Sequence, residues 1–184
     1  MSLDQLDNPI RATWDLVTEA GSMPAAVADA VLQQILEAQL FFITLEQRPL
    51  AHPDCADILK RLTDAGIQVL LLSDGQDDEL DNLQIFSSSP ATVLIRLQPF
   101  IAESGPDFER LGAVVERMRR SGVNPGFSLT PMRSNINFFG SLLAFAKQSE
   151  IARFKLPNVR IDDNFQQVGK ESVLRPDDLE KLRQ

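Results

Sequence analysis

Apolar residues recur along the chain with two alternating periods. Short, nearly continuous apolar runs stand at Leu40 to Leu45 (LFFITL), Ile67 to Leu72 (IQVLLL) and Thr92 to Gln98 (TVLIRLQ). Strands covered on both faces read this way. Pro9 to Val17, Gly126 to Thr130 and Arg153 to Ile161 are β-rich stretches that bring the predicted strands to six. Between them, apolar residues repeat at helical spacing. Met23 to Gln39 carries Val27, Val31, Ile35 and Leu36, with Ser22 expected as N-cap and Pro24 in the first turn. Pro53 to Ala65 carries Ile58, Leu59 and Leu62, and Gly66 is expected to close it. Asp107 to Arg120 places Phe108, Leu111, Val115 and Met118 on one stripe. Asn135 to Lys147 reads as an apolar helix, and Asp77 to Phe86 as an acidic, weakly helical segment. Ser87 to Pro90 is expected as a loop. Residues 162–184 are expected as a polar loop and a short terminal helix opening at Arg175-Pro176-Asp177-Asp178-Leu179.

Repeated β-then-α units predict an α/β fold with a parallel sheet and right-handed crossovers. The unit lengths are uniform, so residues 1–184 are expected to form one domain. A parallel β/α partial barrel of about six units, TIM-barrel-like, fits the pattern better than a flat doubly wound sheet.

Composition narrows the function classes. The chain has 184 residues, with 18 Lys and Arg against 26 Asp and Glu, for a net charge of -8. That balance argues against nucleic-acid binding, which needs cations to neutralise phosphates. No basic cluster flanks an apolar anchor and the longest apolar runs are too short to span a bilayer, so no membrane association is expected. The polar start (Ser2, Asp4, Gln5, Asp7) lacks a signal pattern, and a cytoplasmic protein is expected. One cysteine, Cys55, and one histidine, His52, exclude an intrachain disulfide and any all-cysteine metal site on this chain alone.

Several strings of residues carry a resemblance. The first strand contains Pro9-Ile10-Arg11-Ala12-Thr13-Trp14-Asp15-Leu16. Pro49-Leu50-Ala51-His52-Pro53-Asp54 is followed by Ile58-Leu59-Lys60-Arg61-Leu62, then Gly66-Ile67-Gln68-Val69, and a turn at Ser73-Asp74-Gly75. Ser134-Asn135 and Arg175-Pro176-Asp177-Asp178-Leu179-Glu180 add to it. In this order they resemble the core domain of radical SAM enzymes, whose corresponding segments read G-G-E-P-L, H-P-D, a helix, then G-I and a strand ending in T-N-G. The resemblance implies a partial barrel with its ligand chemistry at the C-terminal ends of the strands.

The departures bear on the chemistry. Where the family places three cysteines that bind a [4Fe–4S] cluster, this chain reads Val17-Thr18-Glu19-Ala20-Gly21-Ser22. The G-G-E-P stretch, which in the family holds the amino end of S-adenosylmethionine, aligns with Glu46-Gln47-Arg48-Pro49. Arg48 reverses the charge presented to an ammonium group. The expectation is a degenerate radical SAM-like domain that needs no cofactor and is not an active enzyme. Cys55, inside a helix, is expected to be a buried hydrophobe, and His52 a turn or cap residue.

The residues expected to line the vacated site are Asp15, Glu46, Arg48, Asp74, Arg96, Gln98, Thr130 and Lys155, with Ser128 beside them. Arg96 and Gln98, two apart, are expected on one side of one strand. Either these side chains form an anion or peptide pocket, or they pair with one another and plug the cavity. No catalytic residue and no metal ligand is assigned. Asp74, Asp77, Asp78, Glu79 and Asp81 are expected to be solvated acids at a helix start, and Arg117, Arg119 and Arg120 a C-terminal helix cap. Phe41, Phe42, Phe138 and Phe139 are expected in the core, or in a docking patch at an open sheet edge.

Two functions follow. The resemblance implies a non-catalytic binding or accessory protein that partners a radical SAM/SPASM peptide maturase or a peptide. The alternative is an enzyme of different, cofactor-free or metal-assisted chemistry at the same mouth. It would draw an acid or base from Asp15, Glu46 and Asp74, with Arg48, Arg96 or Lys155 as stabiliser. A mouth closed by ion pairs favours the first, and open, unpaired carboxylates the second.

Overall fold

The computed structural model describes residues 11–18, 21–84, 91–157, 174 and 177–178. The chain opens with β1 (Arg11–Asp15) and a small hairpin of β2 (Val17–Thr18) and β3 (Gly21–Ser22). Then follow α1 (Ala25–Glu37), β4 (Phe42–Glu46), α2 (Cys55–Asp64), β5 (Gln68–Ser73) and the single turn α3 (Asp77–Leu80). After β6 (Thr92–Arg96), a second hairpin of β7 (Ile101–Ala102) and β8 (Gly105–Pro106) leads into α4 (Phe108–Arg120). The last described elements are β9 (Gly126–Ser128), α5 (Phe139–Gln148) and β10 (Phe154–Lys155).

Six strands form one parallel sheet in the order β1-β4-β5-β6-β9-β10. The order never reverses, so there is no switch point of the kind a doubly wound sheet has. The two faces differ accordingly. Ile43, Leu45, Leu71, Val93, Ile95 and Phe127 point to one face, are buried, and share a core cluster with Leu32, Leu59, Leu62, Leu111, Met118 and Leu142 of the helices. The other face carries Phe42, Thr44 and Glu46 on β4, Gln68 and Leu70 on β5, and Thr92, Leu94 and Arg96 on β6. Several of these stay partly exposed. One helix layer outside and an open inner face make an α/β partial barrel, as the pattern predicts. No helix among the described residues is long and apolar enough to cross a membrane.

Several local expectations need correction. Ser22 lies in β3, and Pro24 is the N-terminal boundary of α1, without a side-chain cap. β6 ends at Arg96, and Gln98 opens a 3₁₀ turn (Gln98–Phe100), because Pro99 cannot donate to a ladder. Phe41 and Phe42 are 62% and 38% exposed, because Phe42 opens β4 on the inner face and Phe41 precedes the strand. Phe138 and Phe139 do pack against the core, and Phe139 meets Phe154 edge to face at 6.0 Å. Pro9, Ile10, Ser87 to Pro90, residues 158–173 and most of the terminal helix lie outside the described residues. Asp177 and Asp178 are helical, and Asp178 pairs with Arg133 Nε at 3.0 Å.

Candidate functional site

Strand register brings the expected residues to one face. Asp15 lies opposite Glu46, and Arg96 opposite Ser128, which in turn lies opposite Lys155. Directly opposed residues in a sheet point to the same side. Asp74 follows β5 at the turn into α3. The Arg96 fork grips it through Nε–Oδ1 and a second terminal nitrogen to Oδ2, each at 2.5 Å. Burial alone would lower the pKa of Arg96, but the Asp74 carboxylate outweighs it, with help from Glu46 and Glu79, so the guanidinium is held above its ordinary value.

The acidic segment is not merely solvated. Asp78 pairs with Arg48. Asp77 and Asp81 both pair with Arg117, the first at 2.9 Å. Arg117 is therefore a clamp on α3 rather than only a helix cap, while Arg119 bonds the Ser149 carbonyl. The partners come from segments distant in the chain, which no local charge pattern encodes.

Glu79 is not the solvated acid that the sequence pattern suggests. It is fully buried, and its Oε2 accepts the Asp74 backbone N–H at 2.8 Å. It closes a capping box with Gln76 around the start of α3. Burial pushes its carboxyl up to about 7, with the Asp74 charge adding to the rise and the backbone donors opposing it. The Gln76-x-x-Glu79 spacing was a usable signal. Its glutamine in place of the usual serine or threonine hid it.

Gln98 donates to the Thr130 carbonyl at 3.4 Å, and Asn135 Nδ2 bonds the same oxygen at 2.9 Å. Lys155 is among the residues lining a cavity on the inner face that reaches the strand starts. The register also sets it level with Ser128 and Arg96 at the strand ends. Among the described residues, Trp14 Nε1, Asp15 Oδ1, Arg48 Nε and Glu79 Oε1 are buried polar atoms without a hydrogen-bond partner. Trp14, Asp15 and Arg48 lie at or just past the ends of β1 and β4, and Glu79 lies in α3.

The donors for a [4Fe–4S] cluster and S-adenosylmethionine do not fit. Val17–Thr18 and Gly21–Ser22 pair as an antiparallel hairpin without a thiolate. Cys55 is fully buried at the start of α2. Burial, then the nearby Glu79 charge, pushes its thiol up to about 12, so it stays protonated. Gln47 and Arg48 hold left-handed backbones (φ 56° and 57°), a conformation glycine adopts more easily, and the Arg48 guanidinium faces Asp78. His52 uses both ring nitrogens: Nδ1 accepts the Asp54 N–H at 3.1 Å and Nε2 meets the Met23 carbonyl at 2.9 Å. Neither is left for a metal. Among the described residues, no three His, Cys, Asp or Glu side chains gather to hold a metal ion.

No protein-family model and no curated protein matches the sequence. Solved structures do match in fold. Streptococcus suis SuiB bound to S-adenosylmethionine superposes with a TM-score of 0.66 at 14% identity, covering 96% of this chain and 45% of that one. SuiB bound to its precursor peptide SuiA gives 0.62 at 12%, over 83% and 40%. The anSMEcpe structure with bound AdoMet and Cp18Cys peptide gives 0.61 at 10%, over 94% and 57%. The chain thus spans 40% to 57% of the length of these proteins. The likeness establishes a radical SAM-like α/β partial barrel.

Proposed function

We propose that this chain is a non-catalytic accessory module on a degenerate radical SAM-like scaffold, partnering a radical SAM/SPASM peptide maturase or its peptide. The observation that carries this reading is the two-pronged Asp74–Arg96 pair at the mouth, between the ends of the adjacent strands β5 and β6. Both carboxylate oxygens of Asp74 are engaged by the guanidinium, so neither is open to a bound substrate. The Arg48–Asp78 pair closes the mouth further. The peptide-bound SuiB and anSMEcpe structures support a peptide-related role. The open β1 edge, with Arg11 and Thr13 on it, offers a strand to which an extended peptide can add. A cytoplasmic, single-domain protein is part of the same reading.

Anaerobic reconstitution with iron and sulfide tests the non-catalytic half. The expected result is no stoichiometric iron and no 5′-deoxyadenosine formed from S-adenosylmethionine. Stoichiometric cluster with cofactor cleavage overturns it. Affinity capture from native extract tests the partner half. Recovery of an identified radical SAM enzyme or its peptide supports it, and recovery of the bare monomer counts against it.

A further inference from the structure

We propose that the lower end of the barrel, away from the mouth, is a second binding site, for a small amphipathic carboxylate. This goes beyond the accessory reading and does not depend on it. A cavity of about 750 Å³ opens on the inner face where the strands begin. Pockets of that size hold small organic ligands with most of their surface buried. Leu94 is buried at its floor, and Phe42 and Leu70 form apolar walls.

The rim has one sign of charge. Arg11 and Arg153 are both exposed there, and no carboxylate lines the cavity among the described residues. On a chain with a net charge of -8 this local excess of cations stands out. The Arg11 guanidinium lies 5.9 Å from the centre of the Phe42 ring, so its charge sits at the edge of an apolar wall. Arg153 donates one hydrogen bond to the Thr92 hydroxyl at 2.7 Å, which orients a fork that has five donors in all.

Cations at the opening and hydrocarbon below complement a ligand with an anionic head and an apolar body. The carboxylate pairs with the arginine forks, and the chain lies against Phe42 and Leu70. A bare inorganic anion would leave the walls uncovered. A neutral or cationic amphiphile would leave the rim uncompensated or repelled.

Isothermal titration of the full chain with decanoate, decanol, decylammonium and acetate reads head and tail separately. Decanoate is expected to bind one to one, with decanol at least about tenfold weaker, since a charged hydrogen bond contributes that much. Decylammonium and acetate are expected to give no measurable heat of binding. Arg11→Gln and Arg153→Gln should each weaken decanoate by about tenfold and leave decanol unchanged. Leu70→Trp, which fills the cavity, should abolish binding of both. Equal affinity for decanoate and decanol, absent decanoate binding, or arginine variants that bind like the original overturns the proposal. Should a variant unfold, the head-group series on the unaltered chain decides alone. Failure of the accessory reading would appear in the iron and capture experiments and leave this titration unaffected.

Discussion

Glu79 is the residue whose environment departs furthest from its chemistry in water. Its carboxyl is fully buried, one oxygen is held by the Asp74 N–H, and the other has no hydrogen-bond partner. With its pKa pushed from the ordinary 4.5 to about 7, the folded state keeps a proton that the unfolded chain loses. Between those two values the folded protein binds more protons, so stability falls as pH rises through that window and levels off above it. The loss is about 3 kcal/mol. Glu79→Gln keeps an oxygen for the Asp74 N–H and removes the titration. Urea unfolding from pH 4.5 to 8 should therefore give a declining stability for the original chain relative to the variant, and parallel profiles would refute the assignment. Little of this was legible in the sequence. Asp74, Asp77, Asp78 and Asp81 looked like solvated acids because Arg48, Arg96 and Arg117 come from other units of the barrel. Tertiary packing of strand ends and helices brings them together. Arg96 and Asp74, by contrast, were legible as inward-facing candidates, because they fall at strand ends and period 2 fixes their side.

At the scale of elements, apolar period located every long helix and the central strands to within a few residues. Ends were less legible wherever a proline, a hairpin or a close approach intervened. Gly126 is the clearest case of close approach. A Cβ there would stand 2.8 Å from the Arg153 carbonyl oxygen and collide with the Leu94 side chain. The Arg153 oxygen is also the acceptor of the Phe127 N–H at 2.8 Å, one of the bonds that tie β10 to β9. The methyl therefore meets backbone that cannot move without breaking the ladder. Gly126→Ala should cost about 1–3 kcal/mol, the ordinary range for overpacking. Hydrogen exchange gives the local signature. The amides of Phe127 and Leu129, which bond Arg153 and Lys155, should lose more protection than those of the central strand β5. A uniform loss across the sheet would place the damage elsewhere.

For the whole molecule, the consequence of an unreversed strand order is a single core with one helix layer. Trp14 near the end of β1 and Cys55 at the start of α2 belong to the same buried cluster as Leu71, Ile95 and Phe127. The edge position of β1 thus exposes its backbone while its tryptophan remains 7% exposed, packed inside. A chain built this way should unfold as one unit. Three probes report on different places. Trp14 is the only tryptophan and there is no tyrosine, so intrinsic fluorescence reads β1. Cys55, buried and with its thiol pushed up to about 12, reacts with a disulfide reagent only once α2 opens. Far-ultraviolet circular dichroism follows the helices together. Urea transitions from the three should superimpose. A fluorescence change at lower urea than the other two would mean that β1 detaches first. The edge strand offered to a peptide would then be a separately melting element, and peptide addition would have to include the cost of ordering it.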